Sequence, residues 1–327
     1  MGVLILSHIY LVYGSTKPLV EEKVDKIIHQ YIVELDDFNF SRYDMQETPF
    51  EVIAEDAMTL PFLSDQKVIV INNSFIFTGE KLKIAHEINL DKVVDFLEKY
   101  EGPNIVIFKV LQDKLDERKK IVKRIKKLHT IEKIEPLDEN GMKQLIKKRF
   151  NEQFKDIKAD ALEEMIHLTG LNYSNVVKEM DKLVLFIGDN TVITKKDVTE
   201  VVSRSLEQNV FLLTDYIAKG DKKRAVHLLK DLINMKEEPI KLLALISSQY
   251  RLFYQVKILS QKGFSEAQIA KQVKVHPYRV KLALRKVRTT DLKQLLNIIK
   301  ECGDTDFALK SSYLDKVLIL ELFILKI

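Results

Sequence analysis

The sequence predicts an α/β domain followed by a region of helices alone, and three observations support this. Nearly continuous apolar runs at residues 67–71 and 104–108 are typical of strands buried on both faces of a parallel sheet. Segments with apolar residues at helical spacing alternate with such runs, which indicates crossover connections. After Pro136 only helical spacing remains.

The α/β domain begins with a strand that ends at Gly14, and a helix with apolar residues at helical spacing follows it. Thr48 as N-cap, Pro49 at the first helical position and Glu51 predict a capping box at the start of a second helix. The remaining elements are predicted in this order: a short strand near residues 38–43, then after the second helix a strand at 67–71, a helix at 92–100, a strand at 104–108, a helix at 117–128 and a strand at 131–134.

The helical region is predicted in two parts. Asp138 can cap a helix that reaches about Phe154, two more helices follow, and Thr194 with Asp197 begins a short fourth. From about residue 209 every long segment is helical, and Ser265 with Gln268 forms another capping box. We therefore expect three domains, at residues 1–136, 137–207 and 208–327.

The composition excludes several classes of protein. The 327 residues suffice for two or three domains, and the 46% of apolar residues exclude a disordered chain. A net charge of +4, from 52 basic and 48 acidic residues, excludes a highly basic tail-like nucleic-acid binder. The single cysteine, Cys302, excludes an intramolecular disulfide and a multi-cysteine zinc site. No apolar stretch is long enough to span a membrane, so we expect a cytoplasmic protein.

A nucleoside triphosphate site would lie after the first strand, yet its residues are absent. A phosphate-binding loop needs Gly-x-x-x-x-Gly-Lys-Ser/Thr, and counting from Gly14 puts Leu19, Val20 and Glu21 at the last three positions. After the strand at residues 67–71 come two asparagines where a magnesium site would need carboxylates. We expect no ATP hydrolysis, no catalytic residues, no metal and no cofactor.

A bulky apolar group surrounds a proline just after the second predicted helix. Pro61 ends that helix, and the chain then presents Leu60, Phe62 and Leu63 in a short irregular link. These side chains either pack beneath the helix as core or project as an anchor for a partner, since such apolar plugs dominate interfaces.

Several motifs, in this order along the chain, resemble one family. Residues 9–14, Phe38-Asn39, residues 59–62 and the strand at 68–71 resemble the delta subunits of bacterial DNA polymerase III clamp loaders. The downstream matches are Gly170, Asn175, Glu179, Lys182 and Leu183, then residues 239–251, 263–265, 269–270 and 275–277.

This resemblance implies an AAA+-like parallel-sheet domain without a working ATP site, a helical lid and a helical collar. It implies a non-catalytic component of a DNA-directed DNA polymerase holoenzyme that binds and opens the sliding clamp. The clamp-binding plug would be Leu60, Pro61, Phe62 and Leu63. The implied partners are the beta ring, the tau/gamma ATPase subunits, the delta-prime subunit and, through the complex, primer-template DNA.

Two basic segments leave alternatives open. Lys119, Lys120, Lys123, Arg124 and Lys127 give one helix a basic side that could contact DNA phosphates or be a solvated face. The capped helix after Ser265, a turn and the basic helix that follows also read as a helix-turn-helix, so a transcription regulator is a rival interpretation. An inactive AAA+ scaffold of another assembly is the third interpretation.

Overall fold

The computed structural model describes residues 8–61, 66–80, 82, 84 and 86–327. The chain divides into two compact units, Met1–Pro136 and Leu137–Ile327. Each unit is described by itself. In the described residues no helix is long and apolar enough to cross a membrane.

The first unit is built on a five-stranded parallel sheet with the order β2-β3-β4-β1-β5. Its strands are β1 (Ile9–Tyr13), β2 (Phe40–Asp44), β3 (Val68–Asn72), β4 (Ile105–Val110) and β5 (Thr130–Lys133). Its helices are α1 (Lys17–Tyr31), α2 (Phe50–Met58), α3 (Leu90–Lys99) and α4 (Lys120–Leu128). The parallel sheet and its helices confirm the predicted α/β class of this unit.

Alternate residues of the central strands bury themselves in two separate cores. In β1, Ile9 and Leu11 pack with α2, α3 and α4, whereas Tyr10 and Val12 pack with α1. This is the two-sided burial that the continuous apolar runs predict. The unit therefore has three layers, with one helix on one face of the sheet and three on the other.

The predicted capping box at the start of α2 is wrong. The helix begins at Phe50, Pro49 is the N-cap residue, and no side chain caps the helix. Thr48 belongs to the preceding turn, where its N–H donates to the Asp44 carbonyl at 2.9 Å. Glu51 instead forms an ion pair with Lys92 on α3, with 3.0 Å between the charged atoms.

The second unit is helical except for one pair of very short strands. Its first four helices are α5 (Glu139–Asn151), α6 (Ala159–Thr169), α7 (Tyr173–Ile187) and α8 (Lys195–Val201). The strands β6 (Asp156–Ile157) and β7 (Val192–Ile193) pair in parallel, which corrects the expectation of helices alone. Two residues are too few to show a periodicity of two, so the sequence pattern does not reveal them.

Seven further helices complete the second unit. They are α9 (Leu206–Ala218), α10 (Lys222–Asn234), α11 (Pro239–Gln261), α12 (Glu266–Val273), α13 (Pro277–Val287), α14 (Leu292–Ser311) and α15 (Lys316–Lys326). The long helix α11 buries residues on several sides, including Leu242, Ile246 and Phe253, in a core shared by all seven. The predicted capping boxes at Thr194 and Ser265 are both present.

Candidate functional site

The predicted plug begins where α2 ends. Thr59 leaves the helix in an extended conformation, and its hydroxyl donates to the Glu55 carbonyl at 2.9 Å. The Leu60 side chain that follows is 78% exposed, and Pro61 is half-buried. Phe62 and Leu63 lie outside the described residues. Leu60 is therefore not part of the core of its unit.

An apolar groove lies between α2 and α3, and Met58, two residues before Leu60, lines it. Phe50, Ala54, Phe96 and Tyr100 complete its apolar lining. The rings of Phe50 and Phe96 meet edge to face with 5.4 Å between their centroids, which fixes the floor of the groove. Apolar surface thus extends from this groove to the end of α2, where Met58 is 54% exposed.

An ion pair links α2 to the residue before β3. The Lys67 ammonium lies 2.7 Å from the Asp56 carboxylate, and both side chains are mostly buried. The Tyr43 hydroxyl donates to the other oxygen of Asp56 at 3.0 Å. Burial and the neighbouring Asp56 carboxylate raise the pKa of the Tyr43 phenol, which therefore keeps its proton and remains a donor.

The connection between β1 and α1 is short and closely packed. Only three residues, 14–16, connect β1 to α1. A side chain at Gly14 would place a Cβ 2.4 Å from the Ile134 carbonyl oxygen, so close packing against the chain after β5 explains the glycine. The Glu21 carboxylate pairs with the Lys109 ammonium on β4 at 2.6 Å, and Lys109 is only 6% exposed.

The end of β3 carries amides where a magnesium site would need carboxylates. Asn73 adopts a left-handed conformation with φ of 49°. Its side-chain nitrogen donates to the Asp44 carboxylate at the end of β2, at 2.5 Å. Throughout residues 8–61, 66–80, 82, 84 and 86–327, no cluster of three or more histidine, cysteine or acidic side chains could hold a metal ion.

The five basic residues predicted to contact phosphates differ in their surroundings. Lys119 donates to the Ile76 carbonyl at 3.0 Å, Lys120 lies 4.0 Å from Asp91, and Arg124 pairs with Glu98 at 2.7 Å. The other two, Lys123 and Lys127, are exposed on α4. Among the described residues, the basic side chains of α4 for which no ion pair is seen are therefore those two.

The segment that reads as a helix-turn-helix is packed into the second unit. Val280, Ala283 and Val287 of α13 are buried in its core. Three of its basic side chains contact neighbouring helices: Arg279 donates to Gln249 on α11, Lys281 to Glu139 on α5 and Lys286 to Asp215 on α9. These contacts leave the second helix poorly suited to enter a DNA groove.

Comparison with known proteins identifies the family. A family model described as DNA polymerase III, delta subunit, matches residues 10–135, and one described as DNA polymerase III delta subunit, C-terminal domain, matches residues 207–327. The DNA polymerase III subunit delta of Bacillus subtilis is 35% identical over 321 residues, which cover 98% of this chain and 92% of the relative. The probable DNA polymerase III subunit delta of Aquifex aeolicus is 27% identical over 190 residues, 58% of this chain and 54% of the relative.

A solved structure agrees with these sequence matches. The DNA clamp loader delta protein of Bacillus subtilis superposes with a TM-score of 0.73 at 34% identity, over 98% of this chain and 95% of that one. The match spans both units, so it replaces the transcription-regulator and unrelated-scaffold interpretations. The chain belongs to the family of DNA polymerase III delta subunits, which are components of clamp loaders.

Proposed function

We propose that this chain binds a ring-shaped sliding clamp through Leu60, Pro61, Phe62 and Leu63 and helps to open the ring during replication. The observation that carries the proposal is the 78% exposure of the Leu60 side chain directly after α2. An apolar side chain held this far out of the core is suited to a pocket on a partner. The delta protein of Bacillus subtilis is named as part of a DNA clamp loader, which supports a ring clamp as that partner.

Opening would use binding energy alone. A ring interface that is closed most of the time has a small open population, and a ligand that prefers the open form enlarges it. The plug would anchor the chain to one side of the interface, so that neighbouring surfaces of the first unit favour the open form. No covalent step is required of this chain.

ATP would act through other subunits. The short β1–α1 connection, the Ile134 carbonyl against Gly14 and the Glu21–Lys109 ion pair all support a first unit that does not bind nucleotide. We propose tau/gamma ATPase subunits and a delta-prime subunit as partners, joined through a collar formed by residues 208–327. The complex would work on the chromosome in the cytoplasm.

DNA contact is proposed for α4. Lys123 and Lys127 are separated by one helical turn, and both are exposed. In the assembled loader they could reach adjacent phosphates of primer-template DNA. Lys119, Lys120 and Arg124 would contribute less because their charges already have partners within the unit.

The clamp-binding proposal is tested by replacing the plug. The double variant Leu60→Ala and Phe62→Ala should weaken binding to the purified clamp by about 1,000-fold, since truncated anchors at an interface centre cost about 2 kcal/mol each. Surface plasmon resonance on the full chain measures this change, and circular dichroism checks that the variant is folded.

A matched control removes apolar surface elsewhere on the same unit. Val33 and Phe38 are exposed apolar residues before β2. Val33→Ala with Phe38→Ala should leave clamp affinity within about twofold of the wild type, as is usual for surface substitutions outside an interface. Wild-type affinity in the folded plug variant would refute the proposed binding segment.

A further inference from the structure

A single buried amide contacts both ends of the plug segment. Asn104 lies just before β4 and is completely buried. Its side-chain nitrogen donates to the Ala57 carbonyl at 3.0 Å and to the Thr59 carbonyl at 2.7 Å, at the end of α2. Its side-chain oxygen accepts from the Lys67 N–H at 3.1 Å, directly before β3. The end of α2 and the residue before β3 are therefore joined through one side chain.

The chemistry of this position requires a primary amide. The site presents two carbonyl oxygens and one N–H, and a primary amide offers two donors and an acceptor in one plane. A carboxylate would place a negative oxygen against two carbonyls, and an apolar side chain would leave three buried polar groups without partners. The same pattern fixes which atom of the amide is the nitrogen, because the reverse orientation would bring oxygen to oxygen.

Two neighbouring contacts strengthen the same junction. The Tyr100 hydroxyl lies 2.9 Å from the carbonyl oxygens of both Ala57 and Asn104, and it can donate to either one. Burial raises the pKa of Tyr100, so this hydroxyl stays protonated. The Asp56–Lys67 ion pair joins the same two stretches of chain from the side. Asn104 is the one residue here whose side chain contacts the backbone on both sides of the segment.

We propose that Asn104 is a positioning residue for clamp binding: it holds the end of α2, from which Leu60 projects, to the residue before β3, so that Leu60 is presented in a binding-competent arrangement. This inference rests on the proposed function. Without the amide three hydrogen bonds are lost and their partners stay buried, so circular dichroism checks that each variant is folded. In the folded variant the end of α2 would be held less firmly, and the fraction of molecules that present Leu60 competently would fall.

This role predicts a particular kinetic signature. If the competent fraction falls to a tenth, the apparent association rate constant falls about tenfold, while the complex once formed dissociates as before. Truncating the plug itself removes contacts from the complex and should act chiefly on the dissociation rate constant. The two kinds of variant therefore differ in which rate constant changes.

The experiment combines hydrogen exchange with clamp-binding kinetics on the full chain. Asn104→Ala removes the amide, and Asn104→Asp keeps its volume but removes both donors. We expect each to speed exchange of the Lys67 amide, whose N–H donates to Asn104, by about tenfold, with the β4 peptide unchanged. We also expect slower association with the purified clamp and a dissociation rate constant within about twofold of the wild type.

Asn39 supplies a matched control because its buried side chain makes equivalent bonds in another loop. It donates to the Glu34 carbonyl at 2.9 Å and accepts from the Asp36 N–H at 3.0 Å. Asn39→Ala should speed exchange at residues 34–39 and leave clamp association unchanged. If Asn39→Ala slows association as much as Asn104→Ala, the effect is general loosening of the unit and the positioning role is wrong.

The possible outcomes separate this inference from the function on which it rests. Wild-type exchange of the Lys67 amide in both Asn104 variants overturns the positioning role, and so does faster exchange without slower association. If instead the folded Leu60→Ala and Phe62→Ala variant binds the clamp like the wild type, the clamp-binding segment itself is wrong and the positioning role falls with it.

Discussion

Lys109 is a charged residue in the central sheet of the first unit, and its ion-pair partner explains why the sheet tolerates it. It lies on β4, between buried apolar residues, and its ammonium group reaches Glu21 on α1. A lysine inside a strand buried on both faces needs a carboxylate partner, because an unpaired buried charge is very costly. The sequence contains this signal, because Lys109 is a charged residue in an otherwise apolar strand.

Removing the partner of Lys109 should be costly. We expect Glu21→Ala to lower the free energy of unfolding of the first unit by about 3 kcal/mol, because it leaves a buried ammonium without a counter-charge. Urea unfolding followed by far-ultraviolet circular dichroism measures this loss. Glu21→Leu combined with Lys109→Met should recover most of it, and a cost below about 1 kcal/mol for Glu21→Ala would show that the ammonium finds water instead.

At the residue level, the position of Leu60 outside the regular elements was predictable, and the contacts that Asn104 makes beside it were not. Pro61 after a helix with a clear apolar face located Leu60 correctly outside the regular elements. The role of Asn104 was not predictable, because in the sequence it is only a polar residue before an apolar run. Its partners are 37 to 47 residues away along the chain, and no local pattern reports such contacts.

At the scale of the elements, His129 links the end of α4 to α3, and its surroundings favour the neutral imidazole ring. His129 caps the C-terminus of α4, and its ring Nε2 lies 2.7 Å from the Leu97 carbonyl of α3. Burial lowers the pKa of His129, and the hydrogen bond to Leu97 only partly opposes this. The neutral ring can donate this hydrogen bond, whereas protonation adds a charge in a half-buried place.

The lowered pKa makes stability depend on pH. A histidine whose pKa is lower in the folded state stabilises fully above its unfolded pKa of about 6.5, and this contribution is lost as pH falls below that value. We expect the first unit of the wild type to lose up to about 1.4 kcal/mol per pH unit relative to His129→Gln over that interval. Urea unfolding of both proteins, repeated at intervals of about one pH unit from about pH 8 down to about pH 5, measures the difference in the free energy of unfolding. Parallel curves would contradict the assignment.

The exposed lysines of α4 should set part of the salt dependence of DNA binding. In a reconstituted loader, Lys123→Ala with Lys127→Ala should reduce the slope of log affinity against log salt by about two, one for each lost phosphate contact. Arg124→Ala with Lys126→Ala removes the same charge from the same helix, but these residues already pair with Glu98 and Glu117. Equal slopes for the first variant and the wild type would exclude DNA contact by this helix.

Capping signatures in the sequence predicted some helix starts correctly and one incorrectly. Thr194 and Ser265 cap their helices as the sequence indicates. Thr48 has the same signature, yet the turn after β2 uses its backbone and Pro49 takes the capping position. The pair β6–β7 was missed because its strands are two residues long.

For the whole molecule, the two units offer different surfaces. The first unit has a five-stranded parallel sheet, and the Glu21–Lys109 ion pair and the close approach at Gly14 lie near the point where its first strand leads into its first helix. The second unit has a large helical core and exposes several apolar residues on α14 and α15, among them Phe307 and Leu322. A chain of this kind is suited to bind partners, and its family places those partners in a clamp loader.

The class of each unit was predictable because buried parallel strands and amphipathic helices each have a local periodicity. The family was predictable because many loose motifs occur in one order, as the matches over residues 10–135 and 207–327 confirm. The extent of a lid within residues 137–207 stays a prediction, since no local pattern marks where one helical part ends and the next begins.

The most direct test of the central claim is site-specific photo-crosslinking between this chain and the purified sliding clamp. A photoreactive phenylalanine analogue replaces Leu60 in one protein and Val33, which is 90% exposed, in the other. The account predicts a covalent product with the clamp from position 60 and none from position 33. Crosslinking from position 33 alone, or from neither position while the two proteins still associate, would contradict it.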